Sequence, residues 1–141
     1  MLIIYTIGFS GKNQEEFFEI LRGVGVKKLI DIRLWRVARF VPWASGVNLQ
    51  KHLGDKYIAM PELAPTKELL TAYKDGTIDW QGYEKVFNGL ICERKIEKLF
   101  TVENLDGMCF LCSEKNSEKC HRRLVAEYLS VHFDDVTIVH L

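Results

Sequence analysis

Leu2-Ile3-Ile4-Tyr5-Thr6-Ile7 and Val26-Lys27-Lys28-Leu29-Ile30-Asp31-Ile32 flank Asn13-Gln14-Glu15-Glu16-Phe17-Phe18, and this pair of apolar runs decides the fold. Each run is short, rich in β-branched residues and apolar almost throughout, as a strand covered on both faces must be. Between them, Asn13 with Glu16 three residues on is a capping box, and Phe17, Phe18, Ile20, Leu21 and Val24 repeat at helical spacing. Gly23 and Gly25 are expected to stop that helix. A strand, a helix and a second strand over this length imply two parallel strands joined by a right-handed crossover. The expected class is therefore α/β: one domain over 1–141, with a mostly parallel sheet flanked by helices in a Rossmann-like three-layer sandwich.

Outward from that unit, residues 33–65 form a long irregular stretch, with a short helix expected around Leu49 to Leu53 and a strand at Tyr57 to Met60. Thr66 to Lys74 reads as a helix ending at Asp75-Gly76. Asp79 caps another, whose apolar positions are Tyr83, Val86, Phe87, Leu90 and Ile91. Further helical turns run to about Phe100. Gly107 to Cys112 is a buried strand, Asn116 or Ser117 starts the last helix with Leu124, Val125, Tyr128 and Leu129 inward, and Val136 to His140 is a closing strand.

Composition narrows the function classes. The chain has 141 residues, 48% of them hydrophobic, enough for a core without disulfide staples. Lys+Arg and Asp+Glu are equal at 19 each, so no overall basic charge points to a nucleic-acid partner. The start of the chain has no basic leader, and no apolar run is long enough to span a bilayer, so a cytoplasmic protein without a membrane partner is expected. The cysteines at 92, 109, 112 and 120 are too few and too uneven for a secreted disulfide framework.

In parallel sheets, ligands bind beyond the carboxyl ends of the strands, where loops carry polar groups and helix N-termini converge. That rule gathers Thr6, Gly8 and Ser10 from the first strand, Asp31 and Arg33 from the second, and Cys112 and Glu114 from the third into one expected pocket. Alternation puts Asp31 and Arg33 on the same side of their strand, where they either pair structurally or meet a ligand. Beyond them, Trp35-Arg36-Val37-Ala38-Arg39-Phe40-Val41-Pro42-Trp43 interleaves guanidiniums with flat rings. Such a loop clamps an anion or a single nucleic-acid strand, or else its tryptophans fill a satellite core.

Cys109 and Cys112 lie three apart in an apolar strand and so face opposite sides, which assigns Cys109 to the core. Cys112 ends its strand and Cys120 is expected in the first turn of the next helix, where the helix dipole and nearby arginines favour a thiolate. Cys120 is the expected reactive thiol. His121, before Leu124 and Val125, looks toward the strand ends as a structural residue, a base or a ligand. Zinc held by Cys112, Cys120, His121 and a carboxylate is a minor reading and no metal is assigned, because the paired spacing of structural zinc sites is missing and helical neighbours 120 and 121 point about 100° apart. No cofactor is expected either.

Tyr5-Thr6-Ile7-Gly8-Phe9-Ser10, Leu29-Ile30-Asp31-Ile32-Arg33 with Arg39, Pro61-Glu62-Leu63-Ala64-Pro65, and Leu111-Cys112-Ser113-Glu114 with Cys120-His121-Arg122 together resemble a prokaryotic family, domain of unknown function 488. The resemblance covers nearly the whole chain. Its first motif implies a histidine where this chain has Phe9, and its arginine loop implies a proline and a serine where this chain has Arg36 and Ala38. It implies no particular reaction.

These readings converge on a small anionic or nucleotide-like ligand, with Arg33, Arg39 and Arg122 holding phosphate or carboxylate and Cys112, Glu114, Cys120 and His121 lining the pocket. A catalytic variant makes Cys120 or Cys112 the nucleophile and His121 its base, oriented by Glu114. An alternative is a nucleic-acid-binding module built on the Trp35–Trp43 loop. In a third reading the motif ties the last helix to the sheet through buried polar contacts.

Overall fold

The opening apolar run forms strand β1, Leu2–Gly8, in the computed structural model, which describes residues 1–141. Helix α1, Gln14–Val24, follows the Asn13 cap, whose side chain accepts from Glu16 N while Glu16 accepts from Asn13 N. It runs through Gly23, contrary to expectation, and ends at Gly25. There a φ of 74° lets the backbone turn left-handed and return its N–H to Arg22 and Leu21. Strand β2, Lys28–Asp31, comes next.

The long connection after β2 holds helix α2, Gly46–Leu53, and leads to strand β3, Tyr57–Ala59. Helices α3, Lys67–Lys74, and α4, Trp80–Arg94, are capped by Thr66 and Asp79. Lys95 then adopts a left-handed conformation, φ 54°, so the expected continuation to Phe100 is a separate 3-10 turn, Ile96–Leu99. A one-turn helix α5, Val102–Leu105, had no apolar period to betray it and is defined by a Thr101/Asn104 capping box. Strand β4, Met108–Cys112, helix α6, His121–His132, and strand β5, Val136–His140, complete the chain.

All five strands are parallel, in the order β3-β2-β4-β1-β5. β4 therefore inserts between the two strands of the opening unit. Its five residues are all buried, which explains the unbroken apolar character of that segment. Alternation divides the core between the faces. Met108 and Phe110 pack with Phe87, Ile91, Leu124 and Leu129 on the side of α4 and α6. Cys109 and Leu111 pack with Phe17, Phe18 and Leu49 on the side of α1 and α2. Each large apolar side chain so buried contributes about 2 kcal/mol relative to exposure.

The connection leaving β2 passes to α2 on one face, and the one leaving β4 passes to α6 on the other. Between strands whose connections diverge in this way, a crevice opens at the carboxyl edge.

Candidate functional site

The crevice begins with a close approach. Gly8 and Cys112 are register partners at the ends of β1 and β4, and Ser10 N donates to the Ser113 carbonyl at 3.1 Å. A Cβ on residue 8 would lie 1.6 Å from the Glu114 carbonyl oxygen and 2.6 Å from Arg122 Nη1. Only glycine lets the loop cross the strand here.

Arg122 holds that loop from inside. It is 1% exposed; Nη1 donates to the Glu114 carbonyl and Nη2 to the Lys115 carbonyl at 3.2 Å, while Nη1 lies 3.8 Å from Cys120 Sγ. Arg123 Nε donates to the Glu118 carbonyl at 3.0 Å. Residues 113–120 are thereby wrapped around two guanidiniums and cannot wind into a helix. The last helix starts at His121 instead of Asn116 or Ser117, and Cys120 is its extended N-cap, φ −141° and ψ 139°, outside the first turn where it was expected. Arg122 sits at the loop's centre, bonded to the protein's own carbonyls, in place of the anion-holding position expected of it.

Cys112, Cys120 and His121 are all buried, and their donor atoms lie within 4.8 Å of one another. His121 Nε2 is 2.7 Å from the Ile32 carbonyl oxygen and Nδ1 is 3.5 Å from Cys112 Sγ. The ring also meets Phe87 edge-on, with centroids 5.4 Å apart. Glu114, expected to orient this imidazole, is exposed and makes no bond to it; the Ile32 carbonyl does that work.

The two thiols differ. The neighbouring Cys120 thiol holds the Cys112 thiol below its usual range, against burial, with help from the Ser113 and Glu114 backbone N–H groups. Its neighbour Cys112, together with burial, pushes Cys120 well up. Cys120, expected in the first turn of the helix, is its extended N-cap instead. Burial pushes Cys109 up as well, in keeping with its place in the core.

Asp31 and Arg33 do meet as a buried pair, of which Arg33 alone lines the crevice. Arg33 Nε and Nη2 donate to the two Asp31 carboxylate oxygens at 2.8 and 2.7 Å, the backbone N of Arg33 donates to Asp31 Oδ1, and the Tyr57 hydroxyl donates to Asp31 Oδ2. The guanidinium also lies 5.5 Å from the Phe9 ring centroid, which gives Arg33 an aromatic rest. Arg33 Nη1 has no partner within the protein.

These groups line a pocket of about 190 Å³. Its floor is Cys112, Cys120 and His121, and Arg33 forms one wall. The lining is also aromatic: Trp80 and Tyr83 stack at 17° with centroids 5.0 Å apart, and Tyr73 packs on both. Lys119, Glu114 and Lys74 stand around it, with Lys74 Nζ 5.2 Å from the Trp35 ring centroid. Tyr73, Lys74, Trp80, Tyr83 and Lys119 were missed because Tyr83 belongs to an ordinary apolar helix stripe; the signal was four aromatic residues, Tyr73, Trp80, Tyr83 and Phe87, crowded on two consecutive helices.

Several expected members are elsewhere. Thr6 hydrogen-bonds His140 Nδ1 at 2.6 Å toward the β5 edge, and Gly8 and Ser10 support the loop without lining the pocket. Arg39 is exposed on the surface loop. Trp43 packs on Phe9, Phe17 and Phe18 as satellite core, while Trp35, half exposed, lines the pocket. A larger groove of about 990 Å³ lies between α1 and residues 52–56. It is bounded by Arg22, Lys28 and Lys56 and holds none of the thiols, which line the smaller pocket together with Arg33.

Fold and site together define an α/β protein with an all-parallel sheet and a thiol–imidazole pocket at its carboxyl edge. No helix is long and apolar enough to cross a membrane. The chain belongs to the family described as Domain of unknown function DUF488, whose model matches residues 13–129. That span contains every pocket residue, and leaves Tyr5–Ser10 outside it. No curated protein and no solved structure matches the chain.

Proposed function

We propose that this protein binds a small anionic or nucleotide-like ligand in the pocket beyond β2 and β4. The observation that carries the reading is the pairing of an aromatic wall, Trp80 on Tyr83, with a guanidinium whose Nη1 is unengaged. A flat ring stacks on the wall, and Arg33 Nη1, Lys74 and Lys119 receive the negative group. Arg33 serves well here because Asp31 and Phe9 hold its plane in place, so little side-chain freedom is lost on binding. At about 190 Å³, the pocket takes one ring or a phosphate-bearing fragment and leaves the rest of a larger ligand outside.

The roles expected of Arg39 and Arg122 drop out of this reading, and Trp35, Lys74 and Lys119 replace them. Tryptophan fluorescence of the native chain, titrated with AMP and separately with inorganic phosphate, tests it. AMP is expected to quench saturably, and Trp80→Leu and Lys74→Ala each to weaken the response several-fold. A lack of saturable change with both at millimolar concentration rejects the reading. If only an oligodeoxythymidine binds, in a salt-dependent manner lost in an Arg36→Ala/Arg39→Ala variant, the nucleic-acid alternative takes its place.

A further inference from the structure

We propose that Cys112, Cys120 and His121 form a Cys2His binding site for a zinc ion, with the fourth coordination position opening into the pocket. The proposal rests on the geometry of the pocket floor and is independent of which organic ligand the walls accept.

Zinc takes thiolate sulfur at about 2.3 Å and imidazole nitrogen at about 2.0 Å, so neighbouring S and N ligands of a tetrahedral ion stand about 3.6 Å apart. Cys112 Sγ and His121 Nδ1 are 3.5 Å apart, and Cys120 Sγ completes a triangle with no edge above 4.8 Å. The objection that residues 120 and 121 diverge on a helix does not hold, because Cys120 is extended and only His121 is helical. The two side chains converge from either side of the helix start.

The surroundings match those of a metal ligand set. The Ile32 carbonyl only accepts, so His121 Nε2 carries the proton and Nδ1 presents its lone pair to the sulfurs. A carbonyl or carboxylate on the far nitrogen is the usual outer partner of a metal-bound histidine. Arg122 Nη1 lies 3.8 Å from Cys120 Sγ, so a metal-bound thiolate there would face a guanidinium. Two thiolates and one imidazole are a soft to borderline donor set, which favours zinc over magnesium or calcium.

Three protein ligands with one open position is the arrangement of zinc sites that bind an exogenous group, in contrast to four-ligand structural sites. A phosphate or carboxylate oxygen entering the pocket would occupy that position. On binding, Zn²⁺ takes both thiolates and their two protons pass to solvent; no electron is transferred.

The test uses the full chain, reduced, stripped with a chelator and titrated with Zn²⁺ and with Co²⁺. One equivalent per chain is expected, with thiolate-to-cobalt charge-transfer bands and the visible bands of a tetrahedral ion. Cys112→Ser and Cys120→Ser should each weaken binding by about a hundredfold and diminish the charge-transfer absorption, while Cys92→Ser, an exposed thiol on α4, leaves both unchanged. Absence of charge-transfer absorption in the native chain overturns the proposal, and so does undiminished binding by both site variants. The native readout needs no variant to fold, and zinc uptake without AMP quenching, or the reverse, separates this proposal from the ligand reading.

Discussion

His121 Nε2 lies 2.7 Å from the carbonyl oxygen of Ile32, a residue 89 positions away in sequence. This bond joins the first turn of α6 to the end of β2 and sets which ring nitrogen faces Cys112. The polar face of the crevice is therefore organised by backbone carbonyls as much as by side chains. Ile32 orients the histidine, and Glu114 and Lys115 engage Arg122.

The thiol pair predicts unequal reactivity. In metal-stripped protein, iodoacetamide should modify Cys112 with a pH midpoint below the ordinary 9.0, and Cys120 only well above it. Cys120→Ala removes the neighbour that holds the Cys112 thiol down and should move its midpoint up. Peptide mass spectrometry across a pH series reads both. Equal midpoints for the two thiols would contradict the opposite shifts of the pair.

Gly8→Ala should destabilise the fold by about 2 kcal/mol or more, because the clash is with backbone, the Glu114 carbonyl, and a flexible side chain cannot relieve it. Gly23→Ala is the control. Nothing lies within 4 Å of its Cβ and it sits inside α1, so a gain of about 0.5–1 kcal/mol is expected. Urea unfolding measures both.

Arg122→Met keeps the bulk of the side chain but strands the Glu114 and Lys115 carbonyls, for an expected loss of about 3 kcal/mol. Amide exchange at Ser10, which donates to the Ser113 carbonyl, should quicken in the same variant as the loop loosens. A variant with native stability and native exchange would mean that the loop is held by something other than the guanidinium.

Tyr57 gives the chain an alkaline limit. Burial, with the bond to Asp31, raises its phenol above the ordinary 10.0, so in the window above 10.0 the unfolded chain loses that proton while the folded chain keeps it. The unfolded state then binds fewer protons, and stability falls as pH rises through the window. Tyr57→Phe should lose about 1 kcal/mol at neutral pH and show a shallower alkaline decline, by urea unfolding at each pH.

How legible the molecule was follows from the range of each interaction. β1, α1 and β2 declare themselves through local periodicity, and the phase of β4 alone separates core Cys109 from Cys112. The start of α6 did not, because residues 113–120 contain good cap residues and the force that keeps them out of a helix is Arg122, a guanidinium–carbonyl contact with no sequence period. Asp31 and Arg33 are two apart, so strand alternation alone puts them on one side, whereas Tyr57, which completes their network, lies 26 residues beyond Asp31. The two tryptophans of the loop look alike in sequence. They part only when α1 arrives to cover Trp43 and α3 and α4 bring Lys74 and Trp80 to the pocket beside Trp35.

The central claim is that a ligand enters the crevice between the ends of β2 and β4. Amide chemical-shift mapping of the isotope-labelled chain on addition of AMP tests it most directly. The account predicts saturable shifts confined to residues 33–35, 73–83 and 112–121. Shifts centred instead on Arg22, Lys28 and Lys56 would contradict it, as would a spectrum that AMP leaves unchanged.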